Sequence, residues 1–196
     1  MKDIFRDIVL NLRWDGVNTC GGGSTLAYTH QLQQQLPELL QRHGITSMLD
    51  APCGDYSWMS QIEFATGFEY TGADIVSELI HRNQQTWPAK HFIELDLTQD
   101  TLPDVDLLFC RDCLFHLSQA DIERVLDNIR SSRIKYLMTT TYLDGHWDNT
   151  NIPTGDFRPI RLTEPPFAWP DPIDSIEDGP EHNITRHMAL WRREQI

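Results

Sequence analysis

Residues 45–141 alternate short apolar runs with stretches of helical period, and this alternation limits the fold more than any other feature of the chain. The runs at 47–51, 69–73, 91–95, 105–110 and 134–140 read as strands. Near-continuous apolar strands separated by helices predict a parallel sheet covered on both faces, and so an α/β fold. The clearest helix follows Leu117. Ser118 and Asp121 make a capping box there, and Ile122, Val125, Leu126 and Ile129 then fall on one face.

The flanks differ in character. Ile4, Phe5, Ile8, Val9 and Leu12 are spaced for a short amphipathic helix packed against the main body. A flexible turn, Thr19-Cys20-Gly21-Gly22-Gly23-Ser24-Thr25, comes next, with Ser24 or Thr25 expected to cap a helix running towards Gln35. Pro37 is then expected to restart a second turn, ended by Gly44. Residues 144–183 hold seven of the eleven prolines and no sustained period, which predicts an ordered loop with short extended pieces. Nine carboxylates stand there against Arg158 and Arg161, and both a solvated surface loop and a lid over a cleft fit that composition. His187 to Arg192 reads as a last strand.

A length of 196 residues with 40% hydrophobic content suits one domain with a real core. The expected division is a helical cap at 1–44, a ligand-binding core at 45–141, a proline-rich acidic loop or lid at 142–185 and the last strand at 186–196. No stretch approaches the roughly 18 apolar residues needed to cross a bilayer. The first residues lack the basic flank and long apolar run of a signal peptide, so a cytoplasmic location is expected. Four cysteines are too few for a disulfide framework. A formal charge of -13 repels phosphate backbones and anionic lipid, which argues against nucleic-acid and membrane partners.

The segment Met48-Leu49-Asp50-Ala51-Pro52-Cys53-Gly54-Asp55 runs an apolar strand into a tight turn before an expected helix. In open α/β sheets, ligands bind beyond the carboxyl ends of the strands, where the strand order reverses. Gly54 lets backbone approach a ligand, and Asp50 and Asp55 favour a cationic or hydroxyl-bearing ligand over a phosphate. Asp74 ends the next strand twenty residues later, the spacing of an acid that accepts from ribose hydroxyls. At the following strand end, Asp96 offers an acceptor for an adenine amino group and Leu97 apolar cover.

Taken together, LDAPCGD, YTGADIV, HFIELDL and VDLLFCRDCLFHLS resemble the successive cofactor motifs of class I S-adenosylmethionine-dependent methyltransferases. The resemblance implies a Rossmann-like three-layer sandwich, with a mostly parallel seven-stranded sheet and an antiparallel last strand supplied by HMALWRR. It further implies S-adenosyl-L-methionine as cofactor. Asp50, Pro52, Cys53 and Gly54 would lie under its methionine part, Asp74 and Ile75 at the ribose, and Asp96 and Leu97 at adenine. Arg111 and Asp112 would border the transfer cleft. Pro52 and Tyr56 stand where the family alternates glycines, which predicts a stiffer turn. Trp14, Ser24 and Thr25 would complete the pocket at the methionine carboxylate, or else belong to a connector and helix cap.

Methyl transfer needs an in-line nucleophile, so positioning and water exclusion carry much of the acceleration. If the acceptor is protonated, His116 is the first candidate base and Asp112 the second. Structural roles for His116, and for Arg111 as partner of a nearby acid, compete with these. Rings at Trp14, Tyr56, Trp58 and Phe115 are candidates to face the sulfonium. Trp147, Phe157, Phe167 and Trp169 are candidates to meet a small-molecule or glycan acceptor. Cys110, Cys113 and His116 resemble half a zinc site, but no second cluster accompanies them, so no metal is expected. The other readings are a nucleotide-dependent oxidoreductase and a noncatalytic binding or partner module.

Overall fold

Short apolar strands and amphipathic helices assemble as the alternation requires. The computed structural model describes residues 1–15, 19–145, 148–179 and 186–196. Trp147 and Glu181 lie outside the described residues. The chain forms β1 (Ser47–Asp50), β2 (Glu69–Asp74), β3 (His91–Glu94), β4 (Leu107–Cys110), β5 (Tyr136–Tyr142), β6 (Asp174–Glu177) and β7 (Arg186–Arg192). The helices are α1 (Lys2–Leu10), α2 (His30–Arg42), α3 (Ser77–Thr86) and α4 (Gln119–Ser131). One seven-stranded sheet results, in the order β3-β2-β1-β4-β5-β7-β6. The first five strands pair in parallel, and β7 runs antiparallel between β5 and β6.

Side-chain alternation along the buried strands builds two cores. Leu49, Leu108, Cys110 and Leu137 meet Ile122, Val125, Leu126 and Ile129 of α4 on one face. Met48, Leu107, Phe109 and Met138 meet Leu32, Leu36, Leu39 and Leu40 of α2 on the other, with Ile80 of α3. Three layers follow from this division. Half of the expected capping box of α4 forms, with Ser118 Oγ accepting from Asp121 N, while Ser118 N donates to Thr154 Oγ1 at 2.9 Å in place of the Asp121 side chain.

Three expectations are corrected. Neither Ser24 nor Thr25 caps α2, which starts at His30; residues 22–24 form a single 3-10 turn instead. Pro37 does not restart the helix but sits inside it, because the neighbouring Leu36, Leu39 and Leu40 are fully or almost fully buried and hold the helix against the sheet. Nor does the turn after β1 open an α-helix. Only a 3-10 turn at Met59–Gln61 interrupts the connection to β2, and buried rings provide the cover a helix would have given. Tyr56 lies 5.1 Å from Tyr70 and 5.2 Å from Phe92, and Trp58 lies 6.1 Å from Phe109.

The described part of the 144–183 segment keeps Asp144, Asp148, Asp156, Asp171 and Glu177 exposed but is anchored by a few buried side chains. Ile160, Leu162 and Trp169 enter the α4-side core. Buried Asn149 pins the segment, its side-chain nitrogen donating to the carbonyls of Arg161 (2.8 Å) and Pro165 (2.9 Å) and its oxygen accepting from Arg161 N (2.9 Å). Trp169 packs edge-on to Trp191 at 5.1 Å and is buried, so it is a core ring and not an acceptor contact.

Candidate active site

The strand order reverses between β1 and β4, and a cavity of about 320 Å³ opens at the carboxyl ends of β1 to β4. Asp50 ends β1, Asp74 ends β2, Asp96 follows β3 and Arg111 follows β4, so four successive strand ends bring four ionisable groups to one rim. Trp14, Ser24, Pro52, Cys53, Gly54, Ile75, Leu97, Asp112 and His116 line the same space. Thr25 does not line it. Its hydroxyl serves its own turn, donating to Gly22 O at 3.1 Å and accepting from Tyr28 N at 3.3 Å.

The two inner acids sit in low dielectric. Asp50 accepts from the Tyr70 hydroxyl at 2.6 Å. Burial pushes its carboxyl up to about 7, against the favourable Tyr70 bond and with a further push from Asp74. Burial also pushes Asp74 up to about 6, although its oxygens accept from Gly54 N (3.1 Å) and Val76 N (2.9 Å). One backbone donor per oxygen leaves each with room for a ligand hydroxyl. Asp96 is engaged differently. Its Oδ1 accepts from Thr98 N (2.9 Å) and Thr98 Oγ1 (2.6 Å), and its Oδ2 from Gln99 Nε2 (3.0 Å), so the side chain chiefly fixes its own turn.

The first turn keeps a left-handed path without the alternating glycines. Gly54 has φ +55, and a Cβ there would meet Cys20 Sγ at 2.7 Å. Tyr56, in place of a glycine, still adopts φ +60, its ring buried among Tyr70, Trp87 and Phe92. Tertiary packing thus holds a conformation that a tyrosine disfavours alone. Cys20 closes the turn from the N-terminal side by accepting from Asp55 N at 3.2 Å, and burial pushes its thiol up to about 12.

Arg111 is buried and paired. Its Nε and Nη2 bind Asp178 in two bonds of 2.9 Å, and Nη2 also donates to Gly23 O at 2.7 Å. Arg186 joins from β7, with Nη1 2.9 Å from Asp112 Oδ1 and Nη2 3.0 Å from Asp178 Oδ2, the latter an ion-pair contact without hydrogen-bond alignment. Arg111 Nη1 lies 3.2 Å from Asp112 Oδ2. Burial works to raise the Asp112 carboxyl, but Arg111 and Arg186 outweigh it and hold it below the usual range. Asp178, Arg186 and Tyr28, whose ring lies 4.8 Å below the Arg186 guanidinium, carry no local sequence signal. Asp178 and Arg186 come from the β6/β7 hairpin, which only the sheet brings beside β4.

His116 Nδ1 lies 2.8 Å from Asp156 O. A carbonyl only accepts, so Nδ1 carries the hydrogen and a neutral ring keeps its lone pair on Nε2. Burial lowers the imidazole pKa, which favours that neutral form. Trp14 packs on the ring at 4.1 Å and Phe115 lies at 4.5 Å. Among the described residues no group of three His, Cys, Asp or Glu side chains is arranged to hold a metal ion. No helix of the described residues is long and apolar enough to cross a membrane.

A family model for a methyltransferase domain matches residues 49–132, the span from β1 through α4 that builds the floor of this cavity. The match spans less than half of the chain and likens this stretch to the methyltransferase-domain family. The methyl donor of that family is S-adenosylmethionine. Among solved structures, the fold is similar to magnesium protoporphyrin IX methyltransferase from Synechocystis PCC 6803, at TM-score 0.65 and 14% identity over 97% of this chain and 99% of that one. It is also similar to the 1,6-didemethyltoxoflavin-N1-methyltransferase of Burkholderia thailandensis, at TM-score 0.64 and 15% identity over 97% and 87%. The N-methyltransferase NodS from Bradyrhizobium japonicum WM9 aligns at TM-score 0.58 and 14% identity over 84% and 96%. These identities relate the chains by fold alone. No curated protein sequence matches the chain.

Proposed function

We propose that the chain transfers a methyl group from S-adenosylmethionine to a small-molecule acceptor, with His116 as general base. The charge of the cavity carries this reading. Asp50, Asp55, Asp74, Asp96 and Asp112 line it against Arg111 and Arg186, both of which are already paired with carboxylates. Such a lining favours a ligand of net positive charge and repels a polyphosphate. The missing helix after β1 points the same way, because a dinucleotide site needs a helix N-terminus against its pyrophosphate. A cavity of about 320 Å³ is small for its class, where roughly 300–1,000 Å³ is usual, and suits one nucleoside-sized ligand.

The donor, when bound, supplies an electrophilic methyl group on a positively charged sulfur. Asp74 would accept from its ribose hydroxyls, and Asp50 would offset its positive charge beneath the methionine part. Ile75 and Leu97 would cover the adenine ring, with Asp96 at its edge. The Gly21 to Gly23 backbone, anchored by Arg111, would meet the carboxylate. Trp14 and Phe115 would keep water away from the reacting atoms, and His116 Nε2 would take the acceptor's proton.

Calorimetric titration with S-adenosylmethionine and S-adenosylhomocysteine, beside NAD and ATP, tests the donor assignment. Binding confined to the first two, and abolished by Asp74→Ala, is the expected result. Comparable binding of NAD or ATP overturns it. The His116→Ala variant should bind S-adenosylhomocysteine as the wild type does yet lose about a hundredfold in transfer rate.

A further inference from the structure

Phe157 lies in the lining of the cavity beside the candidate base. It lines the cavity and yet stays 56% exposed, whereas Ile4, Leu10 and Leu26, the other exposed large apolar side chains among the described residues, do not line it. Its ring meets Phe115 edge-on at 5.3 Å and tilts against His116 at 5.8 Å. Among the described residues no ring stacks face to face on it. The segment is nevertheless fixed, because Gly155 N donates to His116 O (2.8 Å) and Arg158 N to Phe115 O (3.1 Å) on either side of it. A rigidly held aromatic face beside the candidate base is therefore open at the mouth of the site.

The charges around it restrict what that face can hold. Arg111 and Arg186, the cationic side chains of the lining, are committed to Asp112 and Asp178. Among the described residues that line the cavity no arginine is left to receive an anionic acceptor. Arg158 lies buried outside the lining with Nη1 donating to Leu117 O at 2.7 Å, and Asp112 beside His116 would repel an anion. The ring faces of Trp14 and Phe157 suit a flat π-system better than an aliphatic ring.

Resting on the methyl-transfer reading above, we propose that the acceptor is an uncharged or cationic planar aromatic or heteroaromatic compound bearing an O–H or N–H group. It stacks on Phe157 with that group directed towards His116. In the step itself the acceptor atom's lone pair forms the new bond to the methyl carbon. The carbon–sulfur bond breaks with its electron pair remaining on sulfur, and the acceptor's proton passes to His116 Nε2. Phe157 is then the residue that selects the acceptor, by contact and not by chemistry.

The test uses the full chain saturated with S-adenosylhomocysteine and titrated with 5-hydroxyindole, 4-hydroxyquinoline, cyclohexanol, glucose and glucose 6-phosphate. The two aromatic probes should bind at least roughly tenfold more tightly than the other three. Because Phe157 is exposed, Phe157→Ala should fold normally and bind S-adenosylhomocysteine unchanged, while weakening the aromatic probes by roughly tenfold; Phe157→Tyr should restore them. Equal binding of cyclohexanol or glucose, or aromatic binding indifferent to Phe157→Ala, overturns this inference and leaves the donor assignment standing. Failure of S-adenosylhomocysteine itself to bind overturns both.

Discussion

Asp50 and Asp74 give the site its character at the scale of single residues, since both are carboxylates kept at about 7 and about 6 by burial. A raised carboxyl holds its proton in the folded protein at a pH where the unfolded chain has released it. Its contribution to stability is therefore fully present below the unfolded value of 3.8 and is lost as pH rises through about 6 to about 7. His116 acts in the opposite sense, because burial holds its pKa below 6.5 and it opposes folding as the pH falls. Asp50→Asn removes one carboxylate, keeps an acceptor for Tyr70 and leaves His116 alone. Thermal unfolding without added donor should then show a smaller loss of Tm between pH of about 5 and about 8 in the variant than in the wild type. An identical pH slope in the two proteins would show that Asp50 titrates normally. If the same carboxylates face the donor's positive charge as proposed, its affinity should fall as pH drops through about 6.

Elements differ in how much of their form is local. The N-terminus of α4 is partly so: the Ser118 hydroxyl accepts from Asp121 N within one turn, but Ser118 N donates to Thr154 Oγ1 (2.9 Å) and Gln119 N to Asn151 Oδ1 (2.8 Å). Ser118→Ala should cost about 1 kcal/mol in chemical denaturation, and Ser118→Asn only a fraction of that. Equal losses in both would mean that the cap is not what Ser118 provides. The connection from β1 to β2 is the contrary case. Its length and glycine suggest a turn opening a helix, but Tyr56, Trp58 and Met59 reach the core side chains Tyr70, Phe92 and Phe109 and hold an irregular path instead. Helix α2 likewise keeps Pro37 because four buried leucines secure it against the sheet.

Over the whole molecule, the ends of the chain close the site that the middle builds. Asp178 joins Arg111 of β4 to Arg186 of β7, and Arg111 in turn holds the Gly23 carbonyl. Asp178→Ala should leave two buried guanidinium groups short of a carboxylate and destabilise the fold by about 3 kcal/mol in urea titration. A change of less than about 1 kcal/mol would place the network among ion pairs that solvent screens. The alternation of apolar runs, the cap at Ser118 and the acids at successive strand ends were legible in the chain because each depends on neighbours a few residues away. So were the sheet class, the likeness of residues 49–132 to a methyltransferase domain and the strand-end location of the cavity. The pairing of Arg111 with Asp178, 67 residues distant, the left-handed Tyr56 and the place of Phe157 beside His116 were not. Those were decided by tertiary structure, because they arise where the sheet brings remote segments together and burial sets the charge and conformation of what meets there.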